Sequence, residues 1–446
     1  MARKYPRYAD LHTATSGIAT VFFRPMKRIA AAAAAAGVGL AVLIAAPANS
    51  IGSPSTAPGD FTIPAPMRAL GDAKIASAEG DSGTVYEPVR TPAEFTMMGF
   101  EWSDQDGDPG IAVRVSEDGS DWGPWTPVPG APDGGPDPQT KEATAGSESE
   151  PVWAGQSNFI QYRLATTPSD LQLHFLNTDV LSGRTRAAKA AGGSGFPGQT
   201  TSTGTGTSTG TGTTGTSTES TTTDPVPPDD NGGHKHRHGS NSDDKPVKVK
   251  GIAKEIIPRK KWDPKNDCKP RRKSKEGDPQ AVIIHHTVNA NNYSKNEAAD
   301  MVLGICRFHR NGNGWDDIGY NFVVDRFGEI FEGRNGGIER ANVGAHAIGF
   351  NEGTLGIANL GDFQKESPTK DALKAQAELI DWLAKIHNFK TDGTVKVKSA
   401  GGTGNRYEKG EKAKLDAISG HRDVTETDCP GDKLYGELKK IRKLAN

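Results

Sequence analysis

The spacing of hydrophobic and polar residues changes several times along the chain, and each change marks a boundary. Met26-Lys27-Arg28 leads into the uncharged run IAAAAAAAGVGLAVLIAA and then Ala46-Pro47-Ala48, a small-x-small sequence. This predicts an export signal over residues 1–48, cut after Ala48. The alternative is an anchor that stays in the bilayer, although so alanine-rich a run is only weakly hydrophobic. Residues 1–25 have no clear pattern and are expected to be an upstream extension. Residues 49–82 are rich in Pro, Ala and Gly and are expected to be flexible. Alternation then takes over in GIAVRVSEDG, FIQYRLAT and DLQLHFLN, broken by Gly, Pro and Asp clusters, which predicts a small all-β domain over 83–184. From 185 to 250 the sequence becomes TSTGTGTSTGTGTTGTSTESTTTDPVPPDD and similar. It cannot bury enough apolar surface to offset its ordering entropy, so a linker is expected.

From Gly251 to Asn446 the pattern predicts one α/β domain. Ala281-Val282-Ile283-Ile284 is a short apolar run ending in His285-His286-Thr287, a buried strand with histidines at its end. Ser294-Lys295-Asn296-Glu297 has capping-box form, and Ala298, Met301, Val302, Ile305 and Phe308 follow at helical spacing to about Arg310. Tyr320–Val324 and Glu329–Glu332 flank Asp325-Arg326-Phe327-Gly328 as a hairpin. Thr354–Ala358 is a further strand, residues 369–387 form an amphipathic helix, and a last helix covers about 432–444.

Composition narrows the field. A chain of 446 residues with net charge −2 and 34% hydrophobic residues suits two or three modest domains. Its near-neutral balance gives no support to nucleic-acid binding. Trp102, Trp122, Trp125 and Trp153 all fall in the β domain, as a carbohydrate-stacking surface or, the favoured alternative, as core filling. The HKHRH run at 234–238 is expected to be a solvated tail.

The chain has three cysteines, Cys268, Cys306 and Cys429. In an exported protein an odd number leaves one thiol without an intramolecular partner, and three pairings are open. His421 and Cys429 share one turn-rich loop, SGHRDVTETDCPG, close enough in sequence to bind one ion. A catalytic zinc site uses three ligands from His, Cys and carboxylates, and His285 is a plausible third.

The runs VIIHHT, GWDDIGYNFVVDRFGEIFEGR, VGAHAIGFNEGTLGIANLGDF and ISGHRDVTETDCPG, with Pro258-Arg259-Lys260-Lys261-Trp262 ahead of them, occur in order over 255–446. Together they resemble the peptidoglycan recognition protein family and the related phage-lysozyme-type N-acetylmuramoyl-L-alanine amidases. The resemblance implies a mixed central β-sheet flanked by helices over 251–446. It assigns zinc to His285, His421 and Cys429, which leaves Cys268 and Cys306 to form a disulfide in an exported setting. It implies hydrolysis of the amide between the lactyl group of N-acetylmuramic acid and L-alanine, by water activated at the metal. Tyr320 is carried over as a group near the attacking water and Thr427 as a hydroxyl for the developing oxyanion, where phage relatives have a lysine. His346 maps to a groove-lining, substrate-contacting histidine and His286 to a packing residue. Glu332 and Arg334 are read as hairpin surface. Residues 391–412 are either a groove loop or an inert insertion, and Asn335–Ile338 lacks a tryptophan that some relatives use toward the stem peptide.

The expected partner is peptidoglycan, met by a monomer in the cell wall or medium, with membrane contact only through an uncleaved signal. Two alternatives are a non-catalytic peptidoglycan-binding protein of the same fold and a wall-tethering protein worked by its β domain and linker. A complete open zinc site argues for the enzyme.

Overall fold

The computed structural model describes residues 59–70, 83–103, 108–128, 130, 134–143, 147–178, 246–252 and 254–446. The expected export signal, most of the linker and the 234–238 histidines lie outside them. Among the described residues no helix is long and apolar enough to cross a membrane.

The first half is an antiparallel sheet built from β1 (Asp60–Pro64), β2 (Thr84–Val85), β3 (Val89–Trp102), β4 (Ile111–Ser116), β5 (Thr126–Val128), β6 (Ser147–Glu148), β7 (Val152–Leu164) and β8 (Gln172–Leu176). The main strand order is β1-β8-β3-β7-β4-β5. Period-2 alternation sends Phe95, Val113, Val115, Ile160, Tyr162, Leu173 and Phe175 into one core. β1 corrects the expectation of flexibility over 49–82. Phe61 and Ile63 alternate with polar neighbours, and the Phe61 ring stacks on Phe175 at 5.0 Å. Trp102 and Trp153 are core residues, as favoured, whereas Trp122 and Trp125 are half-buried and lie against arginines.

The second half comprises β9 (Ile256–Ile257), α1 (Arg259–Trp262), β10 (Ala281–His286), α2 (Lys295–Asn311), β11 (Phe322–Val324), β12 (Ile330–Glu332), β13 (Thr354–Asn359), α3 (Lys370–His387), β14 (Thr394–Lys398), β15 (Lys412–Asp416), β16 (Ile418–Gly420) and α4 (Asp432–Leu444). Six strands form a mixed sheet in the order β16-β10-β13-β11-β12-β9. β10 runs parallel to β13 and β16, while β11 and β12 form the antiparallel hairpin around Asp325–Gly328. The capping box at Ser294/Glu297 is present at the start of α2, and Thr369 caps α3. Residues 391–412 form part of a second hairpin, β14–β15, whose Val397, Ala413 and Leu415 pack with Ile283 and Phe350.

Each face of the six-stranded sheet has its own cover. Val282, Ile284, Leu355 and Ile357 point to one face and are buried by α3 and α4. On the other face α2 packs over Val323 and Ala358. That cluster also takes in Met97, Trp153 and Leu176 of the first sheet, so α2 is sandwiched between two sheets. Gly99 of β3 makes the approach possible, because a Cβ there would sit 2.1 Å from the Phe308 ring. Polar contacts reinforce the packing. Glu142 pairs with Arg334 and accepts from the Asp316 N–H, Asp137 Oδ1 accepts from the Gly349 N–H and Asn351 Nδ2, each at 2.7 Å, and Asn289 Nδ2 donates to the Pro151 carbonyl. Arg334 is 3% exposed, so it is not hairpin surface; Glu332 is half-buried and accepts from the Arg259 N–H.

Candidate functional site

Three donor side chains converge on the α2-facing side of the six-stranded sheet. His285 is the penultimate residue of β10, and its neighbour on β13 is Ala358. Small residues there leave room for imidazoles over the sheet. A Cβ at Gly356 would stand 2.3 Å from the His346 ring, so only glycine fits. β16 ends at Gly420, and His421 opens the 3₁₀ turn that follows. The turn is fixed by Asp423, which accepts from the Gly420 N–H and from the Tyr435 hydroxyl. The chain then returns so that the Arg422 N–H donates to the Cys429 carbonyl at 2.9 Å, bringing Cys429 back beside His421.

The His285 and His421 ring centroids are 4.4 Å apart, and Cys429 Sγ lies 3.8 Å from His285 Nδ1. Donor atoms of all three lie within 4.8 Å of one another. Tetrahedral zinc, with bonds near 2.0 Å to nitrogen and 2.3 Å to sulfur, holds such donors roughly 3.5 Å apart, so the set fits the ion in identity and spacing. Burial, with smaller contributions from neighbouring His421, His346 and His286, holds the His285 imidazole far below its ordinary pKa. Burial likewise brings His286, His309 and His346 down to about 3. Neutral imidazole is the form that binds metals.

His346 lines the same cleft but is 1% exposed, and its Nδ1 lies 3.0 Å from His285 Nε2. The His346 backbone N–H donates to Asn351 Oδ1, and Asn351 is held in turn by Asp137 and the Gly135 carbonyl. Tyr320, 4% exposed, has its ring 5.3 Å from that of His285. Thr427 is half-buried, and its Oγ1 accepts from the Cys429 N–H at 3.0 Å. His286 points to the opposite side of its strand, with Nδ1 3.3 Å from the Phe363 backbone nitrogen. A disulfide joins Cys268 to Cys306 of α2, beside the buried Arg259–Asp317 pair.

The cleft over these residues has a volume of about 930 Å³ and is walled by both halves of the described structure. Sequence reasoning passed over His309, which lines it from α2. His309 Nδ1 accepts from the Gly319 N–H, and its ring packs against Trp315 and Tyr320. Its position one residue after the apolar Phe308 hid it inside the helical core stripe.

The family model for N-acetylmuramoyl-L-alanine amidase matches residues 275–432. A second, described as Rv3811 N-terminal galactose-binding domain-like, matches residues 53–192. Peptidoglycan-recognition protein 2 of Holotrichia diomphalia is 32% identical over 161 residues, 36% of this chain and 72% of that protein. Peptidoglycan-recognition protein LB of Drosophila melanogaster is 32% identical over 164 residues, 36% of this chain and 59% of that protein. Among solved structures, peptidoglycan recognition protein-LE in complex with tracheal cytotoxin aligns with 42% of this chain and 92% of that one, at 29% identity and a TM-score of 0.33. The chain belongs to the family of peptidoglycan recognition proteins and N-acetylmuramoyl-L-alanine amidases, with a galactose-binding-like β domain ahead of the family domain.

Proposed function

We propose that this protein is an exported, zinc-dependent N-acetylmuramoyl-L-alanine amidase acting on peptidoglycan as a monomer. The observation that carries the proposal is the convergence of His285, His421 and Cys429 at the base of a large cleft, with both histidines buried. A zinc ion held by these three would supply Lewis acidity and a water acidified toward neutral pH. His285 faces Cys429 through Nδ1, so its Nε2 carries the proton and donates to His346 Nδ1. His346 thus acts as a positioning residue that fixes the tautomer and ring angle of His285, in place of the substrate contact expected from sequence. The Thr427 oxygen accepts from the Cys429 backbone, which leaves the hydroxyl proton to donate to the oxygen on which charge develops. The Tyr320 ring packs 5.3 Å from that of His285, within the site, where its hydroxyl would hold a proton for the attacking water or for the oxyanion. The 32% identity to peptidoglycan-recognition protein 2 of Holotrichia diomphalia supports peptidoglycan as ligand.

The test is digestion of purified peptidoglycan by the full chain, with and without chelator and with Cys429→Ser, reading released stem peptides by mass spectrometry. New L-alanine N-termini that vanish with chelator and with the substitution are expected. Binding without any release of peptides would replace the enzyme by a recognition protein.

A further inference from the structure

The hairpin β14–β15 has two unlike faces. Val395, Val397, Ala413 and Leu415 turn inward and pack with Ile283, Phe350 and Val424. The alternate positions turn outward, and in the register of the hairpin Lys396 stands opposite Lys414 and Lys398 opposite Lys412. Side chains directly opposite in an antiparallel pair have Cβ atoms about 5 Å apart, and like charges there repel. All four lysines are exposed, and among the described residues none makes an ion pair or a hydrogen bond. The acid that ends the row, Asp416 opposite Thr394, is paired with Arg442 at 3.0 Å, and the Glu411 carboxylate accepts from the Glu408 N–H.

The loop between the two strands runs to the cleft. The Arg406 N–H donates to the Val424 carbonyl and the Glu426 N–H to the Gly404 carbonyl, which binds the loop to the turn that carries His421 and Cys429. Arg406 lines the cleft there, with its Nε held by the carbonyls of Arg422 at 2.8 Å and Thr425 at 3.0 Å. Glu426 and Asp428 line the same rim, so the strongly cationic surface is the hairpin face and not the edge of the cleft.

We infer that the lysine face of β14–β15 is a docking surface for a polyanion, the carboxylate-bearing peptide stems of peptidoglycan beyond the stretch held in the cleft. The inference rests on the proposed function for its choice of ligand. Stems repeat along every glycan strand and carry free carboxylates, so a strand entering the cleft brings a series of negative charges past the surface beside it. Four ammonium groups on flexible stems meet such a series through charge, without demanding one geometry. Edge protection does not account for the pattern. Keeping an edge strand from pairing with another chain asks only for charge, and lysine facing glutamate would do so while attracting across the strands. Lysine at all four positions repels instead, and a polyanion laid on the face offsets that repulsion. Docking at the hairpin and binding in the cleft then engage one polymer, each raising the effective concentration of the other's ligand.

The test measures pelleting of the full chain carrying Cys429→Ser, so that nothing is hydrolysed, with insoluble peptidoglycan in three forms. One is stripped of phosphate-bearing wall polymers, one is unstripped, and one is stripped with its carboxylates converted to methylamides. Two variants are compared with the parent. The first carries Lys396→Gln, Lys398→Gln, Lys412→Gln and Lys414→Gln; the second carries Lys412→Glu and Lys414→Glu, which set an acid opposite each β14 lysine. Expected for the first is a loss of about 10-fold or more in binding to stripped peptidoglycan, since each lysine near an anionic surface contributes several-fold, and little change on the amidated form. The parent's advantage should fade between about 0.1 M and 1 M salt, as the screening length falls from about 10 to 3 Å. The second variant should also bind stripped peptidoglycan more weakly, yet melt at a higher temperature than the parent, so that lost binding is not lost folding. Unchanged binding by the first variant, an equal loss on amidated peptidoglycan, or a loss seen only while the phosphate polymers are attached would overturn the inference. Hydrolysis by the unsubstituted chain is assayed separately. Lysine-dependent binding without release of stem peptides keeps the inference and removes the enzyme, whereas release of stem peptides with binding indifferent to the lysines does the reverse.

Discussion

On one side of the cleft, His285 ends a strand, His421 opens the turn after β16, and His346 sits in the loop ahead of β13, all gathered over one parallel set of strands. On the other, Pro127, Ala112 and Arg163 lie on a sheet with a separate core, and reach the cleft only because two halves of the structure are docked. The first wall is set by the hydrogen-bond ladders between β10, β13 and β16 and by glycine and alanine on β13. The second is set by an interface in which the Arg334–Glu142 and Arg307–Asp60 ion pairs, a few hydrogen bonds and a shared apolar cluster carry the alignment. The proposed metal chemistry, which needs placement to a fraction of an ångström, would rest on the first wall.

Breaking the first wall should have the larger effect on activity. His285→Ala removes a zinc donor and should reduce peptide release by about a thousand-fold or more, with zinc lost from the purified protein by elemental analysis. Next is the docking pair. Arg334→Ala leaves Glu142 buried without its cation and should lower the unfolding free energy by about 3–5 kcal/mol in a urea titration. Replacing both partners together with apolar residues should cost much less. Leu383→Ala, in α3 on the face remote from the cleft, should cost about 2–5 kcal/mol of stability by leaving a cavity. Activity per folded molecule should not change, which separates core packing from either wall. His346→Ala should weaken zinc affinity about 10–100-fold in a competition with a chromophoric chelator, with the fold intact.

The smallest effect concerns pH at the interface. Burial raises the Asp137 carboxyl above its ordinary value, against the opposing hydrogen bonds from Asn351 and Gly349. A carboxyl whose folded pKa exceeds its unfolded value stabilises the fold most below the unfolded value, and that contribution is lost as pH rises through the folded one. Asp137→Asn keeps the acceptor oxygen and removes the charge. The stability difference between the parent and this variant should therefore favour the parent in acid and move toward the variant as pH rises to neutrality, in melts taken across that range.

Much of the first wall was legible in the sequence. Strand-ending His285, the GHRD loop, Cys429 and the capping box at Ser294 are local signals, and the sheet, hairpin and helices of the family domain lie where the apolar spacing puts them. β1 was missed because a short alternation, Phe61 and Ile63, is hidden by flanking proline, and it declares itself only beside Phe175. Glu142 and Asp137 gave no signal at all. Their partners lie in the other half of the chain, and no pattern of neighbours encodes a contact between residues 142 and 334. Arg334 was misread for the same reason: a charged residue after a hairpin strand looks like surface until the chain supplies its anion from nearly two hundred residues away.

The Gly99–Phe308 contact bears on how such a protein can be inherited. Glycine at 99 is a vacancy shaped for one aromatic ring, and that ring belongs to the other half of the molecule. A recombination event joining this family domain to an unrelated N-terminal module would leave Phe308 uncovered and the ion pair at Arg334 half-made. The low-complexity segment between the halves therefore looks like an easy place to cut and rejoin genes, yet the surfaces on either side of it fit as a matched pair.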